Sequence, residues 1–172
     1  MKSITIKLIA YFISVTLVTQ VQAQDFQQLV VSVPEGISIR SPGDVVISHD
    51  LTTNEQVFPD QVWDVFTSNQ AGANVNFTIG RFVHESFRFF RRNARIQLRV
   101  VDSDGTANWT TIEDDDQTTG FFFGQSTASV SAESFGAGAG RLGIRVSFLE
   151  LNVQFIAAGR YTATVVGQIT NK

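Results

Sequence analysis

The sequence predicts an all-β chain folded as an antiparallel β-sandwich of about nine or ten short strands. Three observations predict it. Val, Ile and Phe dominate the apolar set of a 172-residue chain that carries 15 Phe and 43% hydrophobic residues, and such side chains suit a pleated, half-buried surface. Apolar and polar residues alternate in short runs with the two-residue period of a strand. Turn-forming clusters separate these runs about every 8–15 residues, and no stretch reads as the helical crossover that a parallel sheet requires.

The chain opens with residues 1–23, which read as a secretory signal peptide. Lys2 and Lys7 give a positive start, Leu8–Val18 is an apolar run of 11 residues broken only by Ser14 and Thr16, and Val21-Gln22-Ala23 offers a cleavage site. The run is short for a membrane span, which needs about 20 apolar residues. Residues 24–172 are expected to form a single β-sandwich domain, with residues 24–33 as a candidate assembly arm. Leu29, Val31 and Val33 share one face of the first run, which turns at Pro34-Glu35-Gly36. Val45 and Ile47 form a second run after Ser41-Pro42-Gly43-Asp44, and Val62–Phe66 a third. Val75, Phe77 and Ile79 alternate with Asn74, Asn76 and Thr78; Ile96, Leu98 and Val100 alternate with Gln97 and Arg99. Asp102-Ser103-Asp104-Gly105 is a strong turn signal. Trp109 and Thr111 open the next run, Ala128–Ala132 is another, Gly136–Gly140 reads as a loop, and Ile144, Val146 and Phe148 follow it. Tyr161–Ile169 closes the chain. Between Ile79 and Ala94 the apolar residues fit helical spacing, yet strands flank the segment and Phe is a modest helix former, so strand or irregular structure is expected. The predicted core is Val31, Ile47, Trp63, Phe77, Leu98, Val130, Val146, Tyr161 and Val165.

Without Lys2 and Lys7 the chain has 11 basic and 16 acidic residues, a net charge of −5. That balance argues against nucleic acid as a partner, because such binding rests on neutralising phosphates. With no Cys, thiol catalysis, Cys-based zinc sites and disulfides are all excluded. His49 and His84 stand far apart in sequence and outside any hydrolase motif. Paired carboxylates are possible in any acidic sandwich, and Asp64, beside Trp63 and Phe66, is the one carboxylate flanked by aromatics. The reading is a non-enzyme, with no catalytic, cofactor-binding or metal residue assigned and no cofactor expected.

Four features carry binding chemistry. Arg81, Arg88, Arg91, Arg92, Arg95 and Arg99 interleave with Phe82, Phe87, Phe89 and Phe90. They read either as a surface that grips an acidic polymer or a partner's carboxylates, since Arg pairs bidentately and stacks on rings, or as a strand with Arg outside and Phe inside. Glu113–Asp116 would be the counter-charge, within the molecule or on the next. Asp102 and Asp104 partly match a calcium loop but lack its later carboxylates, so a plain turn competes with a weak calcium site. Trp63 is expected in the core, whereas Trp109, following a loop, is the better candidate for a sugar-stacking platform. Asn76-Phe77-Thr78 and Asn108-Trp109-Thr110 match the glycosylation sequon, which counts for little in a chain of bacterial character.

The segment Ala157-Ala158-Gly159-Arg160-Tyr161-Thr162-Ala163-Thr164-Val165 introduces a final strand with Tyr161, Ala163, Val165 and Ile169 on one face. It resembles the closing strand of secreted bacterial immunoglobulin-like sandwiches: fimbrial subunits of the spore-coat-U-like group and, more loosely, the WxL surface domains. The chain departs from the first in having no cysteine for a disulfide, and from the second in lacking the paired tryptophan motifs. The resemblance implies an immunoglobulin-like sandwich at the bacterial extracellular surface, exported through the periplasm if the cell is Gram-negative. It implies a structural or adhesive protein, self-assembling into a fimbria-like filament by strand addition, with Gln24–Val33 either donated to a neighbour or forming the subunit's own first strand. The expected partners are copies of itself or other surface proteins. The alternative is a secreted carbohydrate-binding module taking a polysaccharide.

Overall fold

Alternation along the chain becomes twelve β-strands in two antiparallel sheets in a computed structural model of the protein, which describes residues 31, 36–119, 124–150 and 156–172. There is no helix among them. The strands are β1 (Ile37–Arg40), β2 (Gln56–Val57), β3 (Gln61–Thr67), β4 (Ala73–Gly80), β5 (Phe82–His84), β6 (Arg91–Ser103), β7 (Thr110–Glu113), β8 (Asp115–Gln117), β9 (Thr127–Glu133), β10 (Gly138–Leu149), β11 (Tyr161–Thr162) and β12 (Val165–Asn171). The larger sheet runs β1-β3-β10-β6-β5-β11, with β2 added to β10 and β8 to β6; the smaller runs β12-β4-β9-β7.

The chain divides into Met1–Val33 and Pro34–Lys172. Within the second unit, one apolar cluster draws on both sheets, as a β-sandwich requires. Trp63, Val65, Ile96, Leu98, Leu142, Ile144 and Val146 come from the larger sheet, and Val75, Phe77, Ile79, Ala128, Val130 and Ala132 from the smaller. The Trp63 and Phe77 rings meet edge to face, 5.2 Å apart. Trp63, Phe77, Leu98, Val130 and Val146 are therefore in the core as expected, and Tyr161 and Val165 pack half-buried against it.

Several expectations need correction. Val31 is exposed and lies in Met1–Val33, outside the cluster. Ile47 is half-buried but belongs to no strand. Residues 41–50 find no ladder partner; instead Asp50, Thr52, Asn54 and Gln56 tie the segment together through side chains. The strand of this region is the preceding Ile37–Arg40, which pairs with Thr67–Asp64. Gly136–Gly140 is only partly a loop, since Gly138-Ala139-Gly140 begins β10 and pairs with Thr67, Phe66 and Val65. A side chain at Gly140 would strike the Trp109 ring, its Cβ falling 2.4 Å from Cδ1, so this stretch of strand stays glycine. The segment Ile79–Ala94 is strand, turn and strand rather than helix. The signal peptide, most of the assembly arm and its Pro34 turn lie outside the described residues.

Candidate functional site: the charged face of the larger sheet

Strand alternation that turns Trp63, Val65, Leu142, Ile144, Ile96 and Leu98 inward must turn Asp64, Arg141, Arg145, Arg95 and Arg99 outward. Register then aligns them. Arg40 lies opposite Asp64, Asp64 opposite Arg141, and Arg141 opposite Asp102, giving a row of alternating charge across β1, β3, β10 and β6. Neighbouring strands stand about 4.8 Å apart, so opposite charges in such a row attract directly. Arg141 Nε is 3.9 Å from Asp64 Oδ1, and both side chains are more than half exposed, so water screens the pair. With Ser38, Phe66 and Asp104 the row lines an open groove of about 370 Å³.

Farther along the same face, Asp60 bridges two strands. Its carboxylate accepts from Arg145 Nε at 2.8 Å on β10 and from Arg99 Nη2 at 2.8 Å on β6. These bonds, Arg145's first, hold the Asp60 carboxyl below the usual carboxylate range. Arg99 lies across Gly143, where an added Cβ would stand 3.3 Å from its Nε. Beyond them Arg95 pairs with Asp115 on the edge strand β8, with Glu55 3.7 Å away. The Arg95 bond lowers the Asp115 carboxyl, and Asp115 in turn raises the Arg95 guanidinium. The acidic run Glu113–Asp116 is thus counter-charge within the molecule through Asp115.

The six arginines of Arg81–Arg99 do not share one surface role. Arg92 pairs with Glu150 and lies over the Tyr161 ring, Arg95 and Arg99 face carboxylates, and Arg81 donates to the Thr119 carbonyl at 2.8 Å. Of the six, Arg88 stands on the exposed turn between β5 and β6, and Arg91 is the exposed first residue of β6 beside it. Sequence reasoning passed over Asp60, Arg40, Arg141 and Arg145. The two on β10 were legible, because Arg141 and Arg145 are polar positions alternating with Leu142, Ile144 and Val146.

His49 and His84, remote in sequence, converge on one aromatic cluster. His49 lies edge-on to Phe148 at 5.5 Å, Phe148 edge-on to Tyr161 at 5.5 Å, and Tyr161 edge-on to His84 at 5.0 Å. The amides of Ser86 and Phe87 both donate to His84 Nδ1 at 3.1 Å, which leaves the ring proton on Nε2, 3.1 Å from the Ala158 carbonyl. A ring so bound is a backbone clamp with no lone pair left for proton abstraction. The His49 Nδ1 accepts the Leu51 amide at 2.8 Å.

Trp109 is buried against Gly140 and presents no platform to a sugar. Asp102 accepts the Ser103 amide, and the 102–108 turn is tied to Ala137 and Ala139 by the Thr106 hydroxyl and the Asp104 amide. No group of three or more His, Asp and Glu able to hold a metal ion occurs among the described residues. Among them there is also no helix long and apolar enough to cross a membrane. Compared with protein-family models, curated proteins and solved structures, the chain matches none.

Proposed function

We propose that the protein is an extracellular structural or adhesive subunit of immunoglobulin-like sandwich type that assembles by strand addition. The observation that carries this reading is the edge strand β12. Its seven residues, Val165–Asn171, hold no charge and no proline, and among the described residues it pairs with β4 alone. Exposed edges of this kind are templates for another strand, and monomeric sheets usually blunt them with Lys, Pro or a bulge. An arm of alternating Leu29, Val31 and Val33 suits such an edge, where main-chain bonds give strength and alternate side chains give register. Addition of one subunit's arm to the next is heterologous and leads to open filaments.

Two features support the immunoglobulin-like type. Trp63 is buried at the centre of the sandwich. Tyr161, at the start of a late strand, accepts the Ala157 amide on its hydroxyl at 3.2 Å, a closure four residues upstream akin to the tyrosine corner of those folds. The charged face is a polar outer wall on which Asp60, Asp64 and Asp115 each face an arginine.

The test is sedimentation and electron microscopy of the full chain beside a chain lacking residues 24–33, at one concentration. Strand donation predicts filaments or oligomers for the first and a folded, non-associating subunit for the second. Added arm peptide should raise the melting temperature of the second by binding linkage. A full chain that stays monomeric at every accessible concentration overturns the reading.

A further inference from the structure

The turn joining β5 to β6 is built against ordinary turn chemistry. The Phe90 amide donates to the Phe87 carbonyl at 2.9 Å, closing a β-turn whose two corner residues are Arg88 and Phe89. Corners normally take Gly, Pro, Asn, Asp or Ser, each for a backbone reason. Phe89 satisfies none of those reasons, and at 88% exposure it adds nothing to the core. Phe87 and Phe90 beside it are 56% and 41% exposed. Three exposed rings within four residues make an apolar tip, and exposed apolar patches mark contact with a partner or a membrane.

The patch is stiff. Phe87 and Phe90 lie edge-on to each other, with centroids 6.0 Å apart, and both rest on His84, at 5.2 and 6.3 Å. His84 in turn holds the turn's backbone through the Ser86 and Phe87 amides, and its own amide donates to the Phe90 carbonyl. The clamped His84 imidazole thus fixes the backbone on either side of Phe89, which lowers the ordering cost at the moment of contact.

Charge identifies the occupant. Arg92, Arg95, Arg99, Arg141, Arg145 and Arg160 each face a carboxylate. Arg88 and Arg91, flanking Phe89, face none among the described residues; the Arg91 Nε donates only to the Arg88 carbonyl. Glu85, the nearest acid in sequence, is 3.2 Å from Arg160. A convex tip of Phe between two uncompensated cations matches an anionic bilayer surface, with the rings entering the acyl boundary and the guanidinium groups at the headgroup phosphates. A sugar polymer would call for a groove or a flat platform with hydrogen-bonding groups, and Phe supplies neither.

We propose that the Phe87–Phe90 turn, with Arg91 at the start of β6 beside it, is a membrane-contact tip that inserts Phe89 into an anionic phospholipid surface. The experiment is vesicle co-sedimentation of the full chain, with vesicles of phosphatidylcholine mixed with phosphatidylglycerol and with vesicles of phosphatidylcholine alone. Wild type should bind the mixed vesicles and much less of the neutral ones. Phe89→Ser should weaken that binding roughly 10- to 100-fold, the range for losing one buried Phe side chain. Arg88→Gln and Arg91→Gln should each weaken it about 5-fold and flatten its salt dependence. The melting temperature of Phe89→Ser should match wild type, which separates lost contact from lost folding. Equal binding by Phe89→Ser and wild type overturns the proposal, as does equal binding to neutral vesicles. So does retention on dextran sulfate that needs both arginines but not Phe89, which would make the partner an acidic polymer. Self-association lost in Phe89→Ser, with no vesicle binding by wild type, would make it a second copy of this chain and overturns the proposal too.

Discussion

Gly159 shows how one residue can be dictated by a ring distant in sequence. Its φ of +144° lies where side chains are strained, and an added Cβ would fall 2.3 Å from His84 Nε2. The carbonyl of its neighbour Ala158 accepts the hydrogen bond of His84 Nε2, and the Ala157 amide donates to the Tyr161 hydroxyl. The Ala-Ala-Gly-Arg-Tyr stretch therefore encodes a docking site for His84. Gly159→Ala should cost about 2–3 kcal/mol in denaturant unfolding, from backbone strain plus displacement of the ring. Asp60 and Asp115 carry a pH signature. Their carboxyls are depressed in the folded state by arginine hydrogen bonds, so the stability they add is present above their unfolded value of about 4 and is lost as pH falls through the folded value. Asp60→Asn should lower stability at neutral pH by no more than about 1 kcal/mol, since the arginines are half exposed. It should also flatten the acid limb of a plot of melting temperature against pH. A variant with the wild-type acid limb would remove Asp60 from that account.

At the scale of elements, β4 and β12 lie side by side with opposite roles. The inward face of β4 packs Phe77 edge to face with Trp63, and both rings lie over the Gly167 backbone; an added Gly167 Cβ would be 3.0 Å from each ring. Phe77→Ala should cost about 3–5 kcal/mol by leaving a cavity in a two-sided core, read from the urea midpoint. The outward residue of β12, Val166, lies opposite Thr78 and is half exposed. Val166→Lys should leave the urea midpoint within about 0.5 kcal/mol of wild type. It should also abolish any association through that edge in sedimentation, because a Lys blunts strand addition. Edge strands were the hardest elements to read from sequence. β8 is two aspartates and a glutamine, depleted types for a strand, yet it forms because Arg95 and Gln97 meet Gln117 and Asp115 across the ladder.

For the whole molecule, connectivity sets the folding rate. β3 pairs with β10, β4 with β12 and β1 with β3, so the sandwich closes only when distant segments meet. Loop entropy must be overcome before those contacts form. Refolding of Pro34–Lys172 from urea should take milliseconds to seconds, the range of all-β sandwiches; microsecond refolding would contradict this topology.

The sequence by itself determined the all-β class, the antiparallel pattern and most of the core, because a two-residue period states which side of a strand is buried. It also favoured strand or irregular structure over helix at 79–94, which the structure bears out, and placed Trp63 inside. Only the tertiary structure decided that Ile37–Arg40 rather than Val45–Ile47 is the strand, since both alternate and a strand exists only where a partner accepts its ladder. It decided that Trp109 is buried, because a glycine on β10 leaves room for the ring. It decided that His49 and His84 meet one aromatic cluster, and that Asp60 joins Arg99 to Arg145, since pairings across sheets depend on register and no local pattern records it.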